Sequence, residues 1–198
     1  MLHEYDKWFR RTSGEFKPIL ERFAGQPITY VEIGCFAGAC CDWVAREILT
    51  HPESRGIGID PYPPDGKRTP EQIEAVKQHA AELVRPLTRA GRWLWLYQDS
   101  AAVLRNFDTF LRGRPIDVLF IDGNHWGHAA LTDFVLAWKY LRVGSVVIFD
   151  DFGIGQRKKH PHVPAAADAV KGAFGGLVKV INPGPLQFAV EVTKTWEG

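Results

Sequence analysis

Acidic residues stand at the ends of apolar segments along much of the chain. Five segments with strand character end in, or next to, a carboxylate, and these carboxylates belong to Glu32, Asp60, Asp99, Asp122 and Asp150, with Asp151 directly after the last. A single aspartate at a strand end is common, because aspartate also forms turns and caps helices. Like charges gathered at one edge cost free energy unless a cation, hydrogen bonds or protonation compensate them. The succession therefore indicates a binding site at the strand ends, where open α/β sheets bind their ligands.

Residues 31–38, VEIGCFAG, form a glycine turn between a strand pattern and a helical pattern. The run PITYVEI before it is rich in β-branched and apolar residues, and ACCDWVAREILT after it has apolar residues at helical spacing. Glycines let the backbone approach a ligand closely, and the following helix offers free N–H groups to a carboxylate or phosphate. The spacing E-x-G-x-x-x-G differs from the dinucleotide fingerprint G-x-G-x-x-G, because Phe36 stands where the middle glycine would be.

Strand and helix patterns alternate from this turn onward. The further strand candidates are RGIGID, RWLWLYQD, IDVLFID and VGSVVIFD, and the helical stretches between them include 70–90, 100–111 and 126–141. Such alternation predicts an α/β fold with a parallel sheet and helices on both faces. The tail runs GLVKVI and LQFAVEVTK flank the turn residues 182–185, which predicts an antiparallel hairpin. We expect a single doubly wound, mostly parallel seven-stranded sheet in one domain, 1–198, with 1–24 as an N-terminal helical cap.

Composition and charge exclude several classes of protein. The net charge of +1 gives no electrostatic reason to expect a nucleic-acid partner. No apolar run approaches the roughly 20 residues that span a bilayer, and the charged, aromatic N-terminus does not resemble a signal peptide. The three cysteines Cys35, Cys40 and Cys41 are a poor disulfide framework and suit a reducing compartment, so we expect a cytoplasmic protein. They lack a second ligand pair at zinc-like spacing, which favours packing of a helix face.

Two motifs carry a resemblance to a known family. The glycine turn resembles the first motif of S-adenosylmethionine-dependent methyltransferases, in the variant of catechol-type and caffeoyl-CoA-type O-methyltransferases. The stretch FIDGNHWGHAALTDFVLAW, followed by GSVVIFDDF, resembles the core of the family that includes macrocin-type O-methyltransferases. The resemblance spans almost the whole chain. It implies the class I, Rossmann-like methyltransferase fold and a site for S-adenosylmethionine.

The resemblance also implies which residues bind that cofactor. The expected set is Glu32, Gly34, Cys35 and Gly38 around the methionine end, Asp60 at the ribose, and Asp99 with Ser100 near the adenine. An aspartate at the end of the second strand accepts both ribose hydroxyls, but NAD sites share this feature. Asp60 is otherwise a turn residue before Pro61, and Asp99 is otherwise an ordinary helix N-cap.

In the metal-dependent group, one aspartate after the fourth strand and two oxygen ligands after the fifth hold a divalent ion. The matching positions are Asp122, Asp150 and Asp151, and the pair Asp-Asp replaces the Asp-Asn of caffeoyl-CoA-type enzymes. Both pairs offer the hard oxygen donors that suit Mg²⁺ or Ca²⁺, and we expect Mg²⁺. Simple capping of the loop by the two adjacent aspartates is the alternative.

His125 lies three residues after Asp122, at the offset where catechol-type enzymes place a lysine base and macrocin-type enzymes a histidine. An imidazole is well suited to take a hydroxyl proton near neutral pH. A structural hydrogen bond to a loop carbonyl is the alternative, and His128 competes for the same part. The basic loop that contains Arg157 and Lys158 is interpreted as solvated rather than as an anion site.

These features predict transfer of a methyl group from S-adenosylmethionine to a hydroxyl of a small-molecule acceptor, assisted by a divalent ion, with Asp122 and His125 as the catalytic residues. A metal-independent methyltransferase that uses His125 alone is the nearest alternative. An NAD(P)-dependent oxidoreductase and a non-catalytic binding module are further ones. The acceptor stays open among a sugar hydroxyl, a phenol or catechol, and a nitrogen, and so does assembly into a homo-oligomer.

Overall fold

The computed structural model describes residues 2–153, 163–182 and 184–195, with side chains from residue 9 onward except those of 11 and 12. Seven strands form one sheet in the order β3-β2-β1-β4-β5-β7-β6. Their bounds are β1 Thr29–Ile33, β2 Arg55–Ile59, β3 Trp93–Leu96, β4 Ile116–Ile121, β5 Leu141–Phe149, β6 Val178–Asn182 and β7 Phe188–Val192. Strands β1 to β5 pair in parallel, whereas β7 pairs antiparallel with β5 and β6. The predicted sheet and its antiparallel hairpin are confirmed.

Helices cover both faces of this sheet. They are α1 Leu2–Glu21, α2 Ala39–Glu47, α3 Pro70–Leu83, α4 Arg85–Arg89, α5 Ser100–Leu104, α6 Asp108–Leu111, α7 Gly127–Ala137 and α8 Val163–Phe174, with a 3₁₀ turn at Trp138–Tyr140. Two large apolar cores result, one beneath α5 to α8 and one beneath α1 and α2, and a small third cluster joins Ala37 to Val76 of α3. Burial of both sheet faces explains why the central strands are almost continuously apolar. Among the residues described, no helix is both long and apolar enough to cross a membrane.

Two predicted helices are each divided in the structure. The stretch 70–90 contains Pro86, which has no N–H for a helical hydrogen bond, and α3 gives way to α4 at Val84. The stretch 100–111 is divided before Asp108, where the Phe107 N–H donates to the Tyr140 hydroxyl at 2.9 Å. Both divisions lie away from the strand ends, so they leave the position of the predicted site unchanged.

The N-terminal helix α1 packs against the sheet through its second half. Phe16 is buried, with its ring centroid 5.1 Å from that of Phe120 on β4 and 5.8 Å from that of Trp43 on α2. The Glu15 carboxylate accepts hydrogen bonds from the backbone N–H groups of Leu186 and Gln187, both at 3.0 Å. These contacts attach the predicted cap to the loop that leads into β7.

Candidate functional site

Strand register brings the predicted acidic residues to one edge of the sheet. Ile33 at the end of β1 pairs with Ile59 of β2 and Ile121 of β4, and Ile121 pairs with Phe149 of β5. The next residues continue the ladder: Asp122 N–H donates to the Ile33 carbonyl at 2.8 Å, and Asp150 N–H donates to the Ile121 carbonyl at 3.0 Å. Asp60, Asp122 and Asp150 therefore leave β2, β4 and β5 at the same level, with the end of β1 between β2 and β4.

The glycine turn lies between these strand ends and requires its glycines. Gly34 has φ +86°, and a Cβ there would lie 2.2 Å from the Asp122 carbonyl oxygen. Gly38 has φ +80°, and its Cβ would lie 2.9 Å from the Cβ of Ala80 on α3. No larger residue fits either position without moving the backbone. The turn thus lies directly against Asp122. Asp122 and the two aspartates that follow β5, Asp150 and Asp151, are called the acidic cluster.

Asp60 holds the glycine turn and the loop after β2 together. Its nearly buried carboxylate accepts the backbone N–H of Phe36 at 2.9 Å and that of Tyr62 at 2.8 Å, and the Tyr62 hydroxyl donates to the Phe36 carbonyl at 2.8 Å. Phe36 and Tyr62 both have positive φ, at 43° and 48°. Burial raises the pKa of Asp60, and the backbone donors oppose that shift. Asp60 is therefore a turn residue, as the alternative interpretation held, and it also faces the turn at which a ligand is expected.

Glu32 lies beneath the glycine turn, and both Glu32 and its partner Tyr30 are buried. The Tyr30 hydroxyl donates to its carboxylate at 2.6 Å and lies 3.4 Å from the Cys40 sulfur. Burial raises the pKa of Glu32 to about 7, although hydrogen bonds from Tyr30, Cys41 and Cys40 lower it. Glu32 is thus balanced between its neutral and charged forms near neutral pH. The role of Tyr30 was missed from the sequence, although its i,i+2 spacing on a strand places it on the same face as Glu32.

Asp99 and Ser100 begin helix α5 at the end of the loop after β3. Asp99 is exposed and caps the helix by accepting the Ala102 N–H at 3.0 Å. The Ser100 hydroxyl donates to Asp133 of α7 at 2.7 Å. Burial raises the pKa of Asp133 to about 6. The capping interpretation of Asp99 is confirmed, its contact with the adenine stays a prediction, and Asp133 is a partner that the sequence did not reveal.

Asp122, His125 and Asp151 converge after β4 and β5. Each offers a ligand atom, and these atoms all lie within 4.8 Å of one another. His125 Nδ1 lies 2.5 Å from the Asp151 carboxylate, and the imidazole side chain is 59% exposed. Asp151 has φ +58°, a left-handed conformation that is strained for a residue other than glycine. The arrangement suits either a metal ion or a carboxylate-oriented general base.

Asp150 points to a different environment from that of its neighbour Asp151. It is nearly buried, and it accepts a hydrogen bond from the fully buried Gln187 amide at 2.8 Å. Burial, followed by the charges of Asp150 and Asp151, raises the pKa of Asp122 well above its usual range. Crowded carboxylates of this kind fit a divalent cation, because its charge would replace the proton that otherwise relieves their repulsion. Gln187 was not found from the sequence, since it follows Asp150 by 37 residues.

The competing histidine and the basic loop have separate outcomes. The ring of His128 lies 6.3 Å from that of Trp126, and His128 is not part of the donor group formed by Asp122, His125 and Asp151. Of the two histidines, His125 is the one at the acidic cluster. Arg157 and Lys158 fall outside the described residues.

A family model described as a methyltransferase domain matches residues 31–152, which is more than half of the chain. The chain belongs to this methyltransferase family. The matched segment begins at the glycine turn and ends just after Asp151, so it contains both predicted motifs. Together with the sheet order, the match confirms the predicted class I methyltransferase and separates the chain from the oxidoreductases considered as an alternative.

Similar proteins show how widely this architecture recurs. A protein of Acanthamoeba polyphaga mimivirus is 31% identical over 152 residues, which cover 74% of this chain and 63% of that protein. The chain therefore spans less than two thirds of this relative's length. An O-methyltransferase from Bacillus cereus, solved in complex with SAH (S-adenosylhomocysteine), superposes with a TM-score of 0.61 at 19% identity. The match covers 92% of this chain and 81% of the Bacillus cereus chain. The mycinamycin methyltransferase MycE, solved with Mg, SAH and mycinamycin VI, has a TM-score of 0.62 at 15% identity, and the match covers 96% of this chain and 51% of the MycE chain. At these identities the two structures establish the fold alone.

Proposed function

We propose that this methyltransferase domain transfers the methyl group of S-adenosylmethionine to a hydroxyl of a small-molecule acceptor, with Mg²⁺ bound at the acidic cluster. The observation that carries the proposal is the convergence of Asp122, His125 and Asp151, whose ligand atoms lie within 4.8 Å of one another. The cluster adjoins the glycine turn, because Gly34 fits only as glycine against Asp122. Methyl transfer requires donor and acceptor to be held in line at short range, and a cofactor turn beside a hydroxyl-activating cluster supplies that arrangement.

The cofactor would lie across the carboxyl ends of β1, β2 and β3. Its amino-acid part fits at Gly34, Cys35 and Gly38, where Glu32 below the turn is a partner for the ammonium group. Its ribose fits at Asp60 and its adenine at Asp99 and Ser100, the two residues that begin α5. The crystal complexes of the Bacillus cereus enzyme with SAH and of MycE with SAH support a cofactor of this type.

The donor chemistry of the acidic cluster fits a hard divalent ion. Asp122, Asp150 and Asp151 supply carboxylate oxygens, the ligands that Mg²⁺ prefers, and MycE was solved with Mg. When bound, such an ion lowers the pKa of a hydroxyl that it contacts. Gln187 restrains one oxygen of Asp150 by its hydrogen bond, so Asp150 would present its other oxygen to the site.

His125 would take the proton of the acceptor hydroxyl. Asp151 engages its Nδ1 at 2.5 Å, which orients the ring, and Nε2 would act as the base. This contact also favours the second candidate, a metal-independent methyltransferase in which His125 and Asp151 act as a pair. The two candidates differ in whether Asp122 and Asp150 have any role beyond the structural one.

The remaining parts of the proposal concern the whole chain. Residues 1–198 would form one methyltransferase domain, with 1–24 as a helical cap that Glu15 attaches to the loop before β7. A small molecule is the proposed partner, and a homo-oligomer stays a prediction. The three cysteines are free thiols, which supports the proposal of a reducing, cytoplasmic setting.

The first experiment is calorimetric titration of the purified protein with S-adenosylhomocysteine, with NAD⁺ as the control ligand. Micromolar binding of S-adenosylhomocysteine without a response to NAD⁺ supports the proposed cofactor. Binding of NAD⁺ alone would refute it. An acceptor screen with and without EDTA then tests the metal: loss of turnover in EDTA and in Asp150→Ala supports the first candidate, and full activity in both supports the second. His125→Ala should lose activity and its pH dependence, whereas the matched variant His128→Ala should keep both.

A further inference from the structure

A compact group of thiols and one carboxylate lies beneath the glycine turn, apart from the acidic cluster. Glu32, Cys35 and Cys41 each offer a donor atom, and these atoms lie within 4.8 Å of one another. Cys35 is 4% exposed and Cys41 is fully buried. The chain joins them locally, since Glu32 is the penultimate residue of β1, Cys35 follows in the turn and Cys41 lies in the first turn of α2. Methyl transfer as proposed above makes no use of Cys41.

We propose that Glu32, Cys35 and Cys41 form a binding site for a thiophilic divalent ion of the zinc class, and that the bound ion weakens cofactor binding. Zinc takes thiolate sulfur at about 2.3 Å and carboxylate oxygen at about 2.0–2.2 Å in tetrahedral geometry. Donors in that geometry lie roughly 3.5–4 Å apart, so the observed group needs to contract by on the order of 1 Å. The contraction is small because the three donors already face one another.

The hydrogen bonds of the group show that its donors converge. The Cys35 thiol donates to the Glu32 backbone carbonyl at 3.5 Å, and interactions with Cys41 and Cys40 lower the pKa of the Glu32 carboxylate. Cys40 is only partly buried, and its sulfur lies 3.4 Å from the Tyr30 hydroxyl. Cys40 therefore marks the partly exposed side of the group, from which an ion can enter.

Charge balance favours an ion over free thiolates. Burial raises the pKa of Cys35 to about 12 and that of Cys41 well above its usual range, so neither thiol ionises alone. A divalent ion that displaces one proton from each thiol adds two positive charges while two are released as protons. The total charge of the buried group is then unchanged, and no uncompensated thiolate is left in the core. Soft sulfur donors select zinc-class ions, whereas the oxygen donors of Asp122, Asp150 and Asp151 suit Mg²⁺.

The effect on the cofactor follows from the place of Glu32 and Cys35. A bound ion would take the Glu32 carboxylate away from Tyr30 and pull Cys35 toward α2, which changes the turn that the cofactor is proposed to contact. This second part rests on the proposed function, whereas formation of the metal site does not. Coupling between two sites is reciprocal. S-adenosylhomocysteine should therefore lower the affinity for the ion by the same factor by which the ion lowers the affinity for S-adenosylhomocysteine.

Cadmium titration of the reduced full chain tests the site, because thiolate-to-cadmium charge transfer gives an ultraviolet band that oxygen donors do not give. We expect one equivalent of Cd²⁺ to produce the band in the wild-type protein and in Asp122→Asn, which lacks a donor of the acidic cluster. The band should be lost in Cys41→Ala and in Cys35→Ala, with circular dichroism used to verify the fold of each. Absence of the band in the wild type, or its full retention in both folded cysteine variants, would overturn the site.

The same preparations test the coupling. One equivalent of Zn²⁺ should weaken S-adenosylhomocysteine binding by about tenfold or more in the wild type. Cys41→Ala should bind the product equally well with and without Zn²⁺, and Mg²⁺ should leave the product affinity of the wild type unchanged. If the cadmium band appears but Zn²⁺ leaves the affinity for S-adenosylhomocysteine unchanged, the metal site is supported and the coupling is refuted. If no form of the protein binds the product, the proposed function fails, and the cadmium band still decides the metal site.

Discussion

Two buried aspartates of nearly equal exposure should respond in opposite ways to the same substitution. Asp133 is 4% exposed and Asp117 is 3% exposed. Asp133 has one described side-chain donor, the Ser100 hydroxyl, and burial raises its pKa from 3.8 to about 6. The Asp117 carboxylate instead accepts the Thr29 N–H at 2.7 Å and pairs with the Arg142 guanidinium, whose Nε lies at 2.7 Å. Asp→Asn removes a poorly compensated charge in the first case and a compensated one in the second.

The magnitude for Asp133 follows from proton linkage. Its folded-state pKa lies above the unfolded value, so the penalty is absent below about pH 4 and complete above about pH 6. A shift of about two units corresponds to about 3 kcal/mol at neutral pH. The weaker hydrogen bond from Ser100 to a neutral amide returns about 1 kcal/mol of this. Asp133→Asn should therefore stabilise the protein by about 2 kcal/mol near pH 8, and its advantage should shrink by on the order of 1 kcal/mol near pH 5.

Asp117→Asn should destabilise the protein by about 2 kcal/mol at both pH values, because an amide that accepts the Thr29 N–H turns its own NH₂ toward Arg142. Urea unfolding followed by tryptophan fluorescence measures both variants, and other titrating groups cancel in the difference from the wild type. A gain for Asp133→Asn that does not change with pH, or a loss at pH 8, would refute the argument that desolvation controls this carboxylate.

Two further substitutions address the site itself. Asp60→Asn leaves one acceptor for two backbone N–H groups and should weaken S-adenosylhomocysteine binding by about 10- to 100-fold in calorimetry. Asp65→Asn, which alters a carboxylate in the same loop that accepts the N–H groups of Lys67 and Arg68, should leave that affinity unchanged, and equal effects of the two would contradict the role of Asp60. Gln187→Leu removes the side-chain amide that donates to Asp150 and should lower the affinity for Mn²⁺, measured by electron paramagnetic resonance, by about tenfold. An unchanged Mn²⁺ affinity would show that Gln187 does not position Asp150.

Much of the fold was readable because its signals are local. The alternation of apolar runs and helical patterns predicted the order of strands, and the glycine turn marked the passage from β1 to α2. Helix divisions were harder to predict, since a proline such as Pro86 can begin a new helix as well as end one, and the contact between Phe107 and Tyr140 joins residues 33 positions apart. The sequence predicts which elements exist better than where each one ends.

The sequence predicted the acidic residues of the candidate site but not their hydrogen-bond partners. Asp60, Asp122 and Asp150 each follow a strand directly, and parallel register alone brings such residues to one edge. Gln187 and Asp133 belong to other elements, and only the packed structure brings them to Asp150 and Ser100. The sequence therefore predicts which edge of the sheet carries the acidic residues. The pKa of each carboxyl depends on hydrogen-bond donors from distant elements, which no local sequence pattern specifies.

The pair Asp150-Asp151 shows why this difference matters for mechanism. In the sequence the two residues are equivalent oxygen donors, and the resemblance assigns both to a metal ion. In the structure Asp150 is nearly buried and is bound by Gln187, whereas Asp151 adopts a left-handed conformation and engages His125 at 2.5 Å. Such a conformation costs on the order of 1–3 kcal/mol, which surrounding contacts must offset. In the proposed mechanism, Asp150 would therefore be a fixed oxygen donor, and Asp151 would be the residue through which the ion site and the base His125 affect each other.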